Sequence, residues 1–113
     1  MSIKAPNTTE PAATGTTNTV IVTFAQTDTH SGIDESTRQY SIKKTSDSSW
    51  GTWVTDNNVA HTFTNLTLNT EYQVRTQVKD AAGNGYTISG TKAITTVNIT
   101  KPTITLSTTA PTN

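Results

Sequence analysis

The sequence predicts an all-β protein, more specifically a seven-stranded β-sandwich made of two sheets. Threonine accounts for 28 of the 113 residues, whereas leucine occurs three times and methionine once. Threonine, valine, isoleucine and the aromatic residues suit the pleated, half-buried surface of a strand. Apolar and polar residues alternate with a period of two in several segments, and the helix-forming residues never recur at the helical period. A chain of this length has room for one domain.

Seven segments show strand-like patterning, and turn-forming residues separate them. The predicted strands lie within residues 3–13, 20–24, 39–43, 50–54, 59–64, 72–78 and 86–97. The intervening turns are rich in Asp, Asn, Gly and Ser, which favour tight backbone bends. We expect the seventh strand to bend at Gly90, where glycine interrupts the strand pattern. A two-sheet sandwich is the architecture that buries seven alternating strands of this length.

Residues 66–72 read Leu-Thr-Leu-Asn-Thr-Glu-Tyr. This segment resembles the E–F corner of a fibronectin type III domain, in which a leucine precedes a Thr-x-Tyr that opens strand F. The resemblance implies that the ring of Tyr72 packs inward and that its hydroxyl bonds the backbone a few residues upstream. It also implies that Leu66 fills the core beneath Tyr72. Leu68 stands where the family usually has proline.

A second resemblance is narrower and involves several short motifs. Asp28, Ser31-Gly32-Ile33, Tyr40-Ser41-Ile42, Trp50 and Asp80-Ala81-Ala82-Gly83-Asn84 are similar to the Ig-like repeats of bacterial surface proteins. The two resemblances imply a structural module of an extracellular, cell-surface or secreted protein. The residues expected to stabilise its core are Phe24, Tyr40, Ile42, Phe63, Leu66, Tyr72, Val74 and Val78.

The two ends of the chain are similar to each other. Pro6 and Asn18 recur as Pro102 and Asn113, at separations of 96 and 95 residues. Self-similarity at a constant period indicates a repeat array, although a Thr- and Pro-rich composition can also produce it by chance. We therefore expect a sandwich domain at residues 1–100 and a linker, or the first strand of a following repeat, at residues 101–113. Neighbouring repeats are the expected partners.

Charge and cysteine content exclude several classes of function. Lys plus Arg and Asp plus Glu each number 8, so the formal net charge is zero. This balance provides no field for phosphate backbones or anionic lipid, which argues against binding to nucleic acid or a membrane surface. The chain has no cysteine, and therefore no disulfide and no thiolate chemistry. No apolar run is long enough to span a bilayer.

Trp50 and Trp53 are candidate contacts for a glycan, because an aromatic face suits the apolar side of a sugar ring. The alternative is that they cover the core beside the third strand. A spacing of three along a regular strand predicts that the two rings point to opposite faces, which disfavours a flat two-ring platform.

Asp28 and Asp80 end the second and sixth predicted strands, and in a sandwich of this type those ends lie together. With Asp34, Glu35 or loop carbonyls they could supply oxygen ligands for calcium. The alternative is that each aspartate caps its own loop, and the spacing of Asp80 to Gly83 suits such a turn. No alternating series of ligands is present, and we predict no metal or cofactor.

No catalytic site is expected. The two histidines, His30 and His61, are far apart in sequence, and a zinc site would need a third ligand. No strained nucleophile turn or oxyanion-hole motif is present. The predicted function is a non-catalytic spacer in a tandem array. The alternatives are an accessory module of a secreted polysaccharide-degrading enzyme, and a recognition module of an adhesin or a phage tail.

Overall fold

The computed structural model describes residues 6–28 and 32–98. The strands are β1 Ala12–Gly15, β2 Val20–Thr23, β3 Gln39–Lys44, β4 Val54–Thr55, β5 Ala60–Phe63, β6 Glu71–Val78, β7 Thr87–Ile88 and β8 Lys92–Thr95. A 3-10 turn at Glu35–Thr37 precedes β3. None of the described residues belongs to a helix that is long and apolar enough to cross a membrane.

The strands form two antiparallel sheets that pack as a sandwich, which confirms the predicted all-β architecture. The smaller sheet has the order β1-β2-β5. The larger sheet has the order β4-β3-β6, and both β7 and β8 pair with the other edge of β6. Strand β8 pairs with the first half of β6, and β7 pairs with its last two residues. Strand β6 therefore pairs with three strands of the larger sheet, β3, β7 and β8.

Residues 6–28 and 32–98 contain eight strands rather than the predicted seven, because the closing strand is divided at Gly90. The pairing register with β6 shifts by one residue between β7 and β8. The Ser89 hydroxyl accepts the Thr76 N–H at 2.8 Å, and the Gly90 N–H donates to the Thr8 carbonyl at 2.8 Å. An extra residue of this kind is a β-bulge, which bends its strand. The strand is thus divided at the position where the bend was predicted.

The first and fourth strands begin later than expected. Strand β1 starts at Ala12, directly after Pro11, which has no N–H to donate to a ladder. Strand β4 is limited to Val54–Thr55. The predicted strand within residues 3–13 thus overlaps β1 only at its end, and residues 1–5 lie outside the described part.

The hydrophobic core lies between the sheets and is small. Its buried residues are Val20, Val22, Tyr40, Tyr72, Val74 and Val78. Six partly buried residues pack against it, namely Ala13, Phe24, Ile42, Phe63, Leu66 and Ile94. The alternation of β2 and of β6 places their valines inward, as the period of two requires.

A buried glutamine joins both sheets and the segment that precedes β1. Gln26 is 1% exposed. Its Nε2 donates to the carbonyls of Asn7 and Thr87, each at 2.9 Å, and its Oε1 accepts from the Thr76 hydroxyl at 2.7 Å. Buried polar atoms are tolerated when they are satisfied in this way. The sequence analysis did not identify Gln26, since it follows the alternating part of β2.

The connection between β5 and β6, residues 64–70, forms a tightly bonded corner. The Tyr72 hydroxyl accepts the Thr67 N–H at 2.9 Å. The hydroxyl of buried Thr96 donates to the Thr67 carbonyl at 2.6 Å and accepts the Thr70 N–H at 3.1 Å. Asn65 and Asn69 have φ angles of 61° and 55°, in the left-handed region that asparagine tolerates better than most residues. The corner is thus fixed without the proline that Leu68 replaces.

We expect Tyr72→Phe to reduce the free energy of unfolding by about 1 kcal/mol or more, because the Thr67 N–H loses the acceptor of a part-buried hydrogen bond. Chemical denaturation followed by fluorescence measures the change. Tyr86→Phe is the matched control, since Tyr86 is 41% exposed. Equal stability of the Tyr72 variant and the wild type would contradict a structural role of this hydrogen bond.

Gly15→Ala should destabilise the sandwich by about 1–3 kcal/mol, the usual range for overpacking. A Cβ at position 15 would lie 2.5 Å from the Thr95 carbonyl oxygen, so β1 and β8 would have to separate. Gly85→Ala is the control, because a Cβ there meets no atom within 4 Å. Thermal melting of both variants tests the prediction, and an unchanged midpoint for the Gly15 variant would disprove the close approach.

Candidate functional site

The segment that leads into β4 contains a bulge against β3. Val54 is opposite Tyr40, whereas the Gly51 N–H donates to the Ile42 carbonyl at 3.2 Å. Two steps along β3 therefore correspond to three steps along the partner segment, which places one extra residue in that segment. The Ser41 hydroxyl donates to the Gly51 carbonyl at 2.9 Å and holds the bulge against the sheet.

The bulge places both tryptophan side chains on the outer face of the larger sheet. The guanidinium carbon of Arg75 lies 4.2 Å from the ring centroid of Trp50 and 4.9 Å from that of Trp53. The prediction that the two rings point to opposite faces is therefore wrong. It assumed a regular strand across residues 50–54, and the extra residue brings side chains three apart to the same side.

Arg75 and Lys43 complete a group that we call the Trp–Arg cluster: Trp50, Trp53, Arg75 and Lys43. Arg75 lies on β6 between the buried residues Val74 and Thr76, so its side chain points away from the core. The Lys43 ammonium lies 5.5 Å from the Trp50 ring centroid. Both tryptophans are half-buried, and neither belongs to the core between the sheets.

The guanidinium of Arg75 has aromatic neighbours but no anionic partner among the described residues. Its Nε is buried and makes no hydrogen bond in that part of the chain. Burial lowers the pKa of Arg75, because desolvation disfavours the charged form. The N–H donors of a guanidinium lie in its own plane, where an oxyanion can accept two of them.

Amide side chains continue the outer face beside this cluster. Gln77 Nε2 donates to Gln39 Oε1 at 2.6 Å, and Gln39 Nε2 donates to the Thr55 hydroxyl at 2.9 Å. Farther along, the Lys79 ammonium lies 5.0 Å from the Tyr86 ring centroid. The outer face thus combines cations, aromatic rings and amides, and of these residues the sequence analysis singled out only the two tryptophans as candidate ligand contacts.

The calcium candidates Asp28 and Asp80 are placed in loops at one end of the sandwich. Asp80 is 2% exposed, and its carboxylate accepts the Asn84 N–H at 2.8 Å and a second hydrogen bond from the Asn84 side chain. The Asp28 carbonyl accepts the Gly32 N–H at 3.0 Å. Within residues 6–28 and 32–98 no three acidic or histidine side chains are grouped so that they could hold a metal ion. Asp80 thus stabilises its own loop.

The two further acidic candidates lie at the 3-10 turn. The Asp34 carboxylate accepts from the Ser36 N–H at 3.1 Å and from the Ser36 hydroxyl at 2.6 Å, which caps the turn. Glu35 points into solvent, 3.9 Å from the guanidinium of Arg38. Although Arg38 is buried, the carboxylate of this pair is exposed and the separation is long, so the ion pair contributes little to stability.

His61 lies between the two sheets, whereas His30 is outside the described residues. The His61 ring stacks on Tyr40 at a centroid distance of 5.3 Å, and its Nδ1 is 2.8 Å from Asp56 Oδ2. The hydrogen bond to His61 is the main reason that the pKa of Asp56 is below its usual value. Burial raises the pKa of Tyr40 to about 12, and its hydroxyl donates to the Asn58 carbonyl at 2.7 Å. These contacts stabilise the β4–β5 loop.

Solved structures share this fold at low sequence identity. The chain is similar to the sixth fibronectin type III domain of human fibronectin type III domain containing protein 3, with 17% identity, a TM-score of 0.69 and coverage of 93% of this chain and 97% of that one. It is also similar to an fn3 domain of human contactin 1, with 18% identity, a TM-score of 0.62 and coverage of 92% and 86%. No protein-family model and no curated protein matches the sequence.

We expect the stabilising effect of Asp56 to disappear in acid. Because its pKa is lower in the folded state than the usual 3.8, its contribution is present above pH 3.8 and is lost as the pH falls through the folded value. The difference in melting temperature between wild type and Asp56→Asn should therefore shrink below pH 3.8. Thermal melts at neutral and acidic pH measure this difference.

The matched control for Asp56 is Asp47→Asn, which removes an exposed carboxylate from the β3–β4 turn. Its melting temperature should follow that of the wild type throughout. A difference between wild type and Asp56→Asn that stays constant with pH would contradict the assigned role of the Asp56–His61 hydrogen bond.

Proposed function

We propose that this chain, which has the fold of a fibronectin type III domain, is a non-catalytic spacer module of a bacterial surface or secreted protein. Domains of this fold are commonly structural modules. In this role the module would hold an adhesive or catalytic domain away from the cell wall. Copies of the module would follow one another in a tandem array.

The path of the chain through the sandwich supports this proposal. The Asn7 N–H donates to the carbonyl of Thr27, which follows the end of β2. The Val97 N–H donates to the carbonyl of Thr16, which precedes the start of β2. The described chain therefore enters at one end of the sandwich and leaves at the other, so that successive copies would extend along one line.

The sequence similarity between the two ends supports the same arrangement. Pro102 follows Pro6 by 96 residues, a distance that suits one sandwich domain and its linker. Residues 101–113 lie outside the described part, and their assignment to a linker or to the next repeat is part of the proposal. Thr- and Pro-rich segments are extended and stiff, which suits a spacer.

The experiment compares chains of one, two and three copies joined at the 96-residue period. Small-angle scattering should show a maximum dimension that increases by the same amount with each copy, because entry and exit lie at opposite ends. The control replaces the Thr- and Pro-rich junction with a Gly/Ser segment of equal length, which should shorten the average dimension. Compact particles in which copies lie side by side would contradict the spacer function.

A second candidate function is supported by the Trp–Arg cluster. An accessory module of a polysaccharide-degrading enzyme, or a recognition module of an adhesin or phage tail, would need an exposed surface with binding chemistry. The outer face of the larger sheet carries aromatic, cationic and amide groups close together. This surface allows the module to contact a ligand while it also acts as a spacer.

A further inference from the structure

We propose that the Trp–Arg cluster binds a polysaccharide with carboxylate groups, that is, a polymer of uronic acid sugars. The proposal depends on the outer face of the larger sheet and not on the path of the chain through the sandwich. It can therefore fail while the spacer function holds, and the spacer function can fail while this binding holds.

Arg75 is a cation without an anionic partner in the described part of the chain. Its guanidinium carbon lies over the rings of Trp50 and Trp53, 4.2 and 4.9 Å from their centroids. Its N–H donors lie in the guanidinium plane, where a planar carboxylate forms two parallel hydrogen bonds. The rings restrict the side chain before the ligand arrives, so less conformational entropy is lost on binding. Lys43, 5.5 Å from the Trp50 ring centroid, places a second positive charge nearby.

The indole rings of the cluster suit the apolar face of a sugar. Indole rings offer an apolar surface that fits the C–H face of a pyranose, and Trp53 contacts one cation, Arg75, in the described part of the chain. A uronic acid unit has this apolar face and a carboxylate on the same ring. One sugar unit could therefore contact Trp53 and reach the Arg75 donors together.

The surface beside the Trp–Arg cluster carries hydrogen-bonding side chains. Gln39 and Thr55 form a row of hydrogen-bonding side chains beside the cluster, and such groups can bond sugar hydroxyls, whereas Gln77 is buried and donates to Gln39. The row and the cluster lie on the face of a sheet and not in a closed cavity, which suits an extended polymer. An acidic peptide would neutralise the cations but would leave the rings and the hydroxyl-binding row unused, so the observations favour a glycan.

The experiment measures binding of the full chain to oligomers of polygalacturonate by titration calorimetry. Methyl-esterified oligomers of the same length test the carboxylate, because they keep the sugar ring and lose the charge. We expect polygalacturonate to bind and the ester to bind about tenfold more weakly or worse, the size expected when a charged hydrogen bond is lost.

Variants locate the site. Arg75→Gln should weaken polygalacturonate binding by about tenfold or more, and Arg75→Lys should restore only part of the affinity, because lysine lacks the planar fork. Lys79→Gln is the matched control: Lys79 directly follows β6, its substitution removes one charge beside Tyr86, and it should change the affinity by about twofold at most. Thermal melts show whether each variant is folded, and Lys43→Gln replaces the Arg75 variants if they are not.

Three outcomes would overturn the proposal. The first is absence of binding to polygalacturonate. The second is an equal loss of affinity in the Arg75 and Lys79 variants, which would show nonspecific attraction between charges. The third is binding of poly-glutamate as tightly as polygalacturonate, which would assign the surface to an acidic protein partner.

Discussion

The hydrogen bond from the Thr67 N–H to the Tyr72 hydroxyl determines where β6 begins, and the rest of the larger sheet depends on that strand. Strands β3, β7 and β8 all pair with β6. A slip of one residue in β6 would exchange its two faces. Val74 would leave the core and Arg75 would enter it. The corner between β5 and β6 therefore sets the core and the outer surface together.

The outer surface needs a second constraint, the bulge that brings the two tryptophans to one side. A Cβ at Gly51 would lie 2.8 Å from the Ile42 carbonyl oxygen, so glycine allows the segment to approach β3 this closely. The spacing Trp50-Gly51-Thr52-Trp53 thus has a structural reason. It aligns both rings with Arg75, which the register of β6 places on the same face. The site results from two independent features of the backbone.

The interior depends on polar side chains as much as on apolar ones. Among the described residues six hydrophobic side chains are buried, compared with eight polar or charged ones, of which Gln77 lies on the outer face of the larger sheet. Gln26 and Thr96 donate hydrogen bonds to backbone carbonyls, and the Thr76 hydroxyl donates to Gln26. These bonds satisfy the polar atoms that are buried in the interior. Part of the high threonine content therefore stabilises the interior.

The sequence by itself determined the all-β class, the places of the alternating strands and the corner tyrosine, because a period of two and a turn motif are local properties of the chain. It also identified Trp50 and Trp53 as candidate contacts for a glycan. The direction of their rings, the contact with Arg75, the bonds of Gln26 and the division at Gly90 were decided only by the tertiary structure. Each of these features depends on which residue lies opposite on another strand. A one-residue shift in pairing does not change the alternation within a single segment, so the sequence of that segment does not reveal it.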